Sequence, residues 1–191
     1  QILEKLGEGG MGVVYKAQDL MLDRLVALKF LPSHLKASEE IKKRFIQEAK
    51  AASTLDHPNI CTLYELDETN DGQMFIAMAY YKGETVKERV KERPLPISEA
   101  VEIAAAIAEG LTRAHEKGIT HRDIKSDNVM ITDNGSVKIM DFGLASMVGA
   151  STLTKAGTTL GTLPYMSPEQ ARGEKVDHRT DIWSLGVLLY E

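Results

Sequence analysis

Two polar motifs on either side of a short apolar hairpin constrain this sequence more than any other feature. Residues 121–128 read His-Arg-Asp-Ile-Lys-Ser-Asp-Asn, and residues 141–143 read Asp-Phe-Gly. Between them, two apolar-rich runs at residues 129–132 and 136–140 are separated by Asp-Asn-Gly. Asn-Gly between apolar runs is the strongest short-range hairpin signal, because both central residues of a type I′ turn need positive φ. The chain is therefore predicted to fold back here and bring the two motifs to one end of a hairpin.

The register of this hairpin determines which polar side chains meet. Centring the turn on Asn134 and Gly135 predicts that Asn128 pairs with Asp141, with Asp123 a few residues upstream. An amide oxygen and a carboxylate would then lie together at the open end. Such hard oxygen ligands suit Mg²⁺, which prefers one or two carboxylates plus substrate phosphates. The pattern therefore indicates a site for magnesium and a phosphorylated ligand.

Composition limits the class of protein. The 191 residues are 43% apolar, which is enough for one or two hydrophobic cores. The net charge of −5 argues against nucleic acid as the main partner. The single cysteine, Cys61, excludes an internal disulfide and fits a reducing compartment. No apolar run approaches the ~20 residues of a membrane span, so we expect a cytoplasmic chain without membrane contact.

The first eighty residues read as strands around one helix. Apolar and β-branched runs at residues 13–17, 25–30, 60–66 and 74–81 predict strands. A helix is predicted from a cap at Ser38 to about Leu55.

Beyond residue 81 the pattern becomes helical. A helix is predicted to start near Pro96, and Gly118 is a natural stop for it. The boundary between a sheet-rich and a helical part is predicted near residues 78–83.

Residues 7–12 contain the pattern Gly-x-Gly-x-x-Gly, which is weak evidence when it stands alone. A dinucleotide-binding Rossmann turn requires a helix after the third glycine, whereas residues 13–15 are strand-like. Glycines in a strand–turn–strand loop let backbone N–H groups approach phosphate oxygens. A plain glycine turn is the alternative at this point.

A carboxylate is predicted on the sheet-facing side of the first helix. One helical stripe is formed by Ile41, Phe45, Glu48 and Ala52. Because Glu48 is costly to bury there without a cationic partner, Lys29 at the end of a strand is the candidate partner.

Together these motifs resemble the catalytic domains of serine/threonine protein kinases, and their residue sequences are similar to those of bacterial members. The likeness extends to residues 161–169 (Gly-Thr-Leu-Pro-Tyr-Met-Ser-Pro-Glu), which resemble the substrate-docking loop and the Ala-Pro-Glu element of that family. It also extends to residues 181–186 (Asp-Ile-Trp-Ser-Leu-Gly). It covers the whole chain, with the motifs in family order. The resemblance implies an α+β, bilobal fold. Its small ATP-binding lobe, residues 1–80, would hold an antiparallel sheet plus one helix, and its mostly helical large catalytic lobe would comprise residues 81–191.

The resemblance also implies a reaction, the transfer of the ATP γ-phosphoryl group to serine or threonine hydroxyls of protein substrates. Asp123 would be the base, and Lys125 would neutralise charge on the transferring group. Lys29, paired with Glu48, would position the phosphates. Asp181 would hydrogen-bond the backbone around residues 121–122, which is a structural role.

The implied cofactor site holds ATP and Mg²⁺, with Asn128 and Asp141 as the metal ligands. The residues implied to contact the nucleotide are Leu6, Gly7, Gly9, Gly12, Val14, Ala27, Lys29, Met78, Ala79, Tyr81 and Met130.

Regulation is implied for the hydroxyl-rich segment at residues 144–162. Phosphorylation within residues 151–159 is expected to switch the enzyme on, with Arg122 and Arg44 as receptors for the phosphate. Dimerisation for autophosphorylation is expected to accompany it.

Two alternatives and one departure from the family stand beside this reading. A pseudokinase-like binding or scaffold module is disfavoured because the polar residues of a kinase site are all present, namely Lys29, Glu48, Asp123, Asn128 and Asp141. A dinucleotide-binding oxidoreductase is a distant third. The family's later helices do not occur in these 191 residues. We therefore expect a fragment of a longer gene product that is unstable and inactive alone, and whose further C-terminal segment could anchor it to a membrane.

Overall fold

The computed structural model describes residues 1–9, 12–31, 39–142 and 163–191. The side chains of residues 39–41 and 44 also lie outside this description. The described chain divides into two units. The first unit comprises residues 1–54 and 62–81, and the second comprises residues 55–61 together with the described residues from 82 onward. The predicted boundary between residues 80 and 81 stays a prediction.

The first unit is an antiparallel five-stranded sheet with one helix. Its strands lie in the order β1-β2-β3-β5-β4 and its helix is α1. Their bounds are β1 Ile2–Gly9, β2 Gly12–Asp19, β3 Arg24–Phe30, α1 Glu39–Ser53, β4 Leu63–Glu68 and β5 Met74–Ala79. The strand predicted over residues 60–66 therefore begins three residues later than expected. Ile60 instead belongs to the second unit, where it forms an isolated parallel bridge with Ile139.

Strand β1 lies at one edge of this sheet and is irregular. Register shifts interrupt its pairing with β2 twice, between Ile2 and Glu4 and between Lys5 and Gly7. Every β1 side chain is exposed apart from the half-buried Gly7 position. The strand is therefore attached almost entirely through its backbone ladder to β2.

Helix α1 places its apolar stripe on the core side. Phe45, Ala49 and Ala52 are buried, whereas Glu48 on the same side is half-buried. Phe45, Glu48 and Ala52 thus follow the predicted stripe, whose remaining member, Ile41, has its side chain outside the described residues. Burying such a stripe is what stabilises a short helix in a protein. The helix ends at Ser53, near the expected Leu55, where the Ser53 hydroxyl donates to the Lys50 carbonyl.

The second unit combines a three-stranded antiparallel sheet with four helices. The strands, in the order β6-β7-β8, are β6 Gly83–Thr85, β7 Val129–Thr132 and β8 Val137–Ile139. The helices are α2 Val86–Glu92, α3 Ile97–Glu116, α4 Pro168–Ala171 and α5 Arg179–Tyr190. Two short 3₁₀ turns lie at Ser126–Asn128 and Leu163–Tyr165. These elements and the sheet of the first unit confirm the predicted α+β class.

The predicted stop at Gly118 is confirmed in detail. Gly118 has φ +72°, and its N–H donates to the His115 carbonyl at 2.9 Å. The Ile119 N–H donates to the Ala114 carbonyl at 2.9 Å. These two bonds form a Schellman motif, which glycine favours because it has no Cβ to oppose positive φ.

The predicted hairpin register was wrong by one residue. Residues 133–135 form a three-residue loop, in which Gly135 has φ +82° and its N–H donates to the Thr132 carbonyl at 2.8 Å. Val129 consequently pairs with Ile139, and Ile131 with Val137.

These four paired side chains are all buried. The expected type I′ register would have placed Ile131 opposite Lys138 and so divided this apolar cluster. Because a one-residue slip moves side chains to the wrong partners, core packing selects the longer loop. Asn128 therefore lies opposite Met140, whose N–H donates to the Asn128 carbonyl at 2.8 Å, and not opposite Asp141.

Replacing Gly83 with alanine should destabilise the second unit by about 2–4 kcal/mol. A Cβ at Gly83 would lie 2.1 Å from the Ile131 carbonyl oxygen and 2.7 Å from the Thr132 Cα, both on the paired strand. Backbone atoms cannot yield without breaking the β6–β7 ladder. Chemical denaturation monitored by circular dichroism measures the change in unfolding free energy.

Gly110→Ala is the matched control for this substitution. Its Cβ would meet the end of the Ile139 side chain at 2.9 Å, and a rotamer change at that end relieves the contact. Alanine also gains up to about 1 kcal/mol over glycine inside a helix. Equal destabilisation by both substitutions would contradict the backbone explanation.

The stability of α5 should depend on pH through Asp177. The Asp177 carboxylate accepts hydrogen bonds from the Arg179 guanidinium at 2.9 Å and from the Arg179 N–H at 2.9 Å. These bonds hold the pKa of Asp177 at about 2. Because the folded pKa is lowered, this contribution is present above the unfolded value of about 3.9 and is lost as the pH falls towards 2. The difference in unfolding free energy between the wild type and Asp177→Asn should therefore shrink below pH 4. A difference constant from pH 6 to pH 2 would contradict this assignment.

Candidate functional site

Asp123 is a buried carboxylate whose two oxygens have different surroundings. Its side chain is 3% exposed, and Oδ2 accepts hydrogen bonds from the Lys125 ammonium at 2.8 Å and from Asn128 Nδ2 at 2.9 Å. No residue in the described ranges forms a hydrogen bond with the other oxygen, Oδ1, although that atom is buried. A buried acceptor without a protein partner is unusual and is a common mark of a binding or reaction site. Oδ1 is therefore the oxygen available to a ligand hydroxyl.

Asn128 is held in one orientation by its own hydrogen bonds. Its Nδ2 donates to the Asp123 carbonyl oxygen at 2.8 Å as well as to Oδ2. Its backbone N–H donates to the Lys125 carbonyl at 2.9 Å in the 3₁₀ turn. Because these contacts assign the amide nitrogen, the remaining oxygen, Oδ1, is the atom that can accept or coordinate.

Asp141 follows β8 in a left-handed backbone conformation with φ +58°. Asp and Asn tolerate this region better than other residues with a Cβ. The next residue, Phe142, is buried, and its ring lies edge-on to His121 with the centroids 4.6 Å apart. Phe142 is thus an anchor that fixes the backbone immediately after Asp141. Gly143 lies outside the described residues.

The donor set at Asn128 and Asp141 fits Mg²⁺. It consists of an amide carbonyl oxygen fixed in orientation and a carboxylate, which are both hard oxygen ligands. Two protein ligands leave room for phosphate oxygens and water, as Mg²⁺ prefers. In the described parts of the chain, no group of three or more His, Cys, Asp or Glu side chains is arranged to hold a metal ion without such help.

A second buried carboxylate, Asp181, organises the loop that carries Asp123. It is fully buried on α5 and accepts the His121 N–H at 2.8 Å on Oδ2 and the Arg122 N–H at 2.7 Å on Oδ1. The predicted contact of Asp181 with the backbone at residues 121–122 is thereby confirmed. His115 Nε2, on α3, lies 2.8 Å from Oδ2 and adds a third bond.

Arg122 is constrained at both of its backbone groups. Its φ is +67°, an uncommon value for a residue with a Cβ. Its N–H is bonded to Asp181, and its carbonyl accepts a hydrogen bond from Gln170 Nε2 at 2.9 Å. Strained backbone of this kind persists only where the surroundings over-determine it. The geometry just before Asp123 is therefore set by α4 and α5.

His121 links the same loop to the end of β8. Its Nδ1 accepts the Asp123 N–H at 3.2 Å, and its Nε2 lies 2.8 Å from the Met140 carbonyl oxygen. A carbonyl oxygen can only accept, so Nε2 carries the hydrogen and the ring is the neutral Nε2–H tautomer. The ring thereby connects the backbone of Asp123 with the residue before Asp141.

Sequence reasoning missed two residues of this framework. The sequence assigned no functional role to His115 or to Gln170. A signal for Gln170 was present, because Ser167-x-x-Gln170 is a capping-box pattern and both of its bonds form. No local pattern indicates the contacts that these two side chains make with residues distant in sequence.

In the first unit, four of the predicted nucleotide-binding residues share one face of the sheet. Val14 pairs with Lys29, and Ala27 pairs with Met78, so these four side chains point to the same side. Lys29 is 5% exposed, which is low for an ammonium group. A buried lysine needs an anionic partner or ligand. The Lys29–Glu48 ion pair stays a prediction.

The glycine-rich segment closes the hairpin between β1 and β2. Gly9 pairs with Gly12, which has φ +116°, and the two residues between them lie outside the described ranges. Among the atoms of the described residues, none lies within 4 Å of a Cβ built at Gly7 or Gly9. Open space beside the backbone leaves room for a ligand to approach the N–H groups.

The remaining predicted site residues either lie on a described element or fall outside the residues that the structure describes. Leu6 lies on β1, Ala79 ends β5 and Tyr81 follows it in the first unit, whereas Met130 lies on β7 in the second. The hydroxyl-rich segment falls within residues 143–162, and its expected phosphorylation lies outside the described residues, as does the Arg44 side chain. Of the helices described, none is both long and apolar enough to cross a bilayer.

Comparison with known proteins gives one consistent result. The family model for the protein kinase domain matches residues 1–191. The serine/threonine-protein kinase PrkC of Bacillus subtilis is 43% identical over 192 residues, which cover 100% of this chain and 30% of PrkC. A probable serine/threonine-protein kinase of Clostridium perfringens is 42% identical over 100% of this chain and 28% of that protein. The chain thus spans less than a third of the length of either relative.

A solved structure agrees with the sequence relatives. The crystal structure of the Mycobacterium tuberculosis PknI kinase domain matches with a TM-score of 0.81 at 30% sequence identity. The match covers 100% of this chain and 70% of that domain.

Asp181→Asn should lower the unfolding free energy by about 2–4 kcal/mol. The amide would place an NH₂ group opposite one of the three donors that now point at the carboxylate. Asp127→Asn is the control within the same loop, because its carboxylate makes a partly exposed ion pair with Lys87. That change should cost no more than about 1 kcal/mol. Denaturant titration measures both, and equal effects would show that Asp181 has no special structural role.

Proposed function

The chain belongs to the protein kinase domain family, and we propose that it transfers the γ-phosphoryl group of ATP to serine or threonine hydroxyls of proteins. The observation that carries this proposal is the asymmetry of Asp123, where Lys125 and Asn128 bind one carboxylate oxygen and the other is buried without a described partner. The named serine/threonine-protein kinases among its relatives support the choice of hydroxyl.

Asp123 is the base of this reaction. A substrate hydroxyl that donates its hydrogen to Oδ1 would be oriented for attack on the γ-phosphorus, and Asp123 would take up the proton as the new P–O bond forms. The two bonds on Oδ2 keep the carboxylate from rotating, so the accepting oxygen stays in place. Such fixed geometry is the main contribution of the protein in phosphoryl transfer, which requires little covalent chemistry from it.

Lys125 has two functions in this arrangement. Its ammonium holds Oδ2 of Asp123 at 2.8 Å, and its side chain is only 14% exposed. In this position it balances negative charge on the transferring phosphoryl oxygens, an effect that is stronger where water is excluded.

Asn128 and Asp141 would hold Mg²⁺ when the nucleotide is bound. The ion would neutralise charge on the β- and γ-phosphates as it develops. Asn128 is suited to this task because its bonds to Asp123 leave only the carbonyl oxygen for coordination. Asp141 adds the negative charge that the amide lacks.

The first unit supplies the nucleotide contacts in this proposal. The face that carries Val14 and Ala27 offers apolar surface to adenine, and Lys29 on the same face offers a cation to the phosphates. The open backbone at Gly7 and Gly9 offers N–H groups to phosphate oxygens. Leu6, Gly12, Met78, Ala79 and Tyr81 complete the proposed contacts from the first unit, and Met130 is the proposed contact from the second unit.

The cellular setting follows from charge and composition. We place the reaction in the cytoplasm, with protein substrates and no nucleic acid, because the chain has one cysteine and a net charge of −5. A second copy of the protein is its expected first substrate, by autophosphorylation.

Asp123→Asn and Asp141→Asn should affect the reaction in different ways. Asp123→Asn removes the proton acceptor, so the turnover number should fall by about 10²–10⁴-fold while the Kd for Mg·ATP changes less than about two-fold. Asp141→Asn removes a charged metal ligand, so nucleotide affinity should lose most of its dependence on Mg²⁺. Phosphate transfer from labelled ATP and nucleotide titration with and without Mg²⁺ measure the two effects in the full-length protein.

Asp127→Asn is the matched control, because Asp127 lies in the same loop with its side chain paired to Lys87. It should leave both quantities within about two-fold of the wild type. Equal loss of Mg·ATP affinity in the Asp123 and Asp141 variants would contradict the assigned roles. A wild-type protein that binds Mg·ATP without transferring phosphate would instead support a binding or scaffold module.

A further inference from the structure

A buried cluster of hydroxyl groups lies beside the catalytic loop, the segment at residues 121–128 that carries Asp123. The proposed mechanism does not use this cluster. Ser126 is 1% exposed and Tyr165 is 8% exposed. The Ser126 Oγ lies 2.9 Å from the Tyr165 hydroxyl and 3.4 Å from Glu191 Oε1. The Tyr165 hydroxyl donates to Glu191 Oε2. The cluster thereby joins the catalytic loop, the turn Leu163–Tyr165 and the end of α5.

The directions of these hydrogen bonds are fixed by counting hydrogens. The Tyr165 phenol donates its one hydrogen to Glu191, so it can only accept from Ser126. The single Ser126 hydrogen has the phenol oxygen at 2.9 Å as its nearer acceptor and Glu191 Oε1 at 3.4 Å as its more distant one. Burial raises the pKa of the Tyr165 phenol, and the bond to Glu191 raises it further, whereas Ser126 lowers it. The phenol therefore stays protonated near neutral pH and keeps its role as donor. Ser126 is the donor that connects the catalytic loop to this pair.

Ser126 stands next to residues that carry the chemistry. Lys125 precedes it, and the Lys125 carbonyl accepts the Asn128 N–H across it at 2.9 Å. A displacement of Ser126 would therefore be transmitted to both side chains that bind Asp123 Oδ2. On the other side of the link, the Tyr165 carbonyl accepts a hydrogen bond from Ser184 Oγ at 2.9 Å, which fixes the turn to α5.

We propose that Ser126 is a positioning residue that couples the turn Leu163–Tyr165 to the base Asp123 through its hydroxyl. The inference rests on the proposed kinase function, within which this turn lies in the segment that resembles the substrate-docking loop. A protein substrate that contacts the turn would then help to set the position of Lys125 and Asn128. Ser126 and Tyr165 are not among the residues assigned to ATP or Mg²⁺, so the effect on turnover of the protein substrate should exceed any effect on nucleotide binding through Asn128.

The test is a double-mutant cycle in steady-state kinetics with the full-length protein, using ATP and a serine-containing peptide that the wild type phosphorylates. Ser126→Ala and Tyr165→Phe should each lower kcat/KM for the peptide by about 3- to 10-fold, the range expected from one lost hydrogen bond. The KM for ATP should stay within about two-fold. Because both changes break the same link, the double variant should lose no more than the worse single variant.

Rescue and control variants separate positioning from general destabilisation. Ser126→Thr keeps the hydroxyl and should recover at least half of the lost kcat/KM on a logarithmic scale. Ser136→Ala, at an exposed hairpin position, and Tyr190→Phe, at a side chain that is 94% exposed, should have no effect. The unfolding midpoint of each Ser126 variant should shift by no more than about 4 °C.

Three outcomes would overturn the inference. These are losses that multiply in the double variant, an equal rise of KM for ATP, and unchanged kinetics in Ser126→Ala. If the wild type transfers phosphate and the variants match it, this inference fails while the proposed function stands. A wild type that phosphorylates neither itself nor any serine or threonine substrate overturns both.

Discussion

The buried carboxylate of Asp181 is the interaction on which the rest of the site depends. Two successive backbone N–H groups, those of His121 and Arg122, point at one side chain that is fully buried on another element. A buried carboxylate is stable only when several donors surround it, and the His115 ring supplies the third. The reciprocal dependence makes the loop rigid, because neither the loop nor the carboxylate is satisfied without the other. The carboxylate proposed as the base is thus supported by a residue to which the proposal gives no part in the chemistry.

Further single hydrogen bonds extend this support from the loop backbone to Asp123 and its neighbours. His121 holds the Asp123 N–H, and Asn128 holds the Asp123 carbonyl and one of its carboxylate oxygens. Ser126 adds the link to Tyr165. These polar groups are buried, and other protein groups satisfy most of their hydrogen-bonding capacity. Fully connected polar clusters of this kind specify one arrangement, whereas partly satisfied ones are costly. Asp123 Oδ1 is the atom of this group for which no described residue provides a hydrogen bond, and under the proposed function a substrate hydroxyl would supply it.

Sequence reasoning succeeded where local chemistry decides the structure and was incomplete where distant packing decides it. The stop at Gly118 and the apolar side of α1 follow from backbone freedom and helical period, so both were predictable. The hairpin register was wrong because Asn-Gly favours a two-residue turn locally, whereas pairing the four buried side chains of β7 and β8 requires a three-residue loop. The pattern of buried residues could have revealed this, since the expected register opposes Ile131 to Lys138. The roles of Gln170 and His115 come from contacts 48 and 66 residues apart in sequence, for which no local signal exists.

The irregularity of the edge strand β1 determines which part of the five-stranded sheet opens most easily. It has few buried side chains, two interruptions of its ladder and a neighbour on only one side. The free energy of its local opening is therefore well below that of the central strands β3 and β5, and its amide hydrogens should exchange with solvent first. If the chain binds ATP as proposed, the same low cost of detachment would let the backbone at Gly7 and Gly9 move aside for the nucleotide and return to its phosphates. Slow dissociation of a bound nucleotide would then be governed by the reopening of this strand.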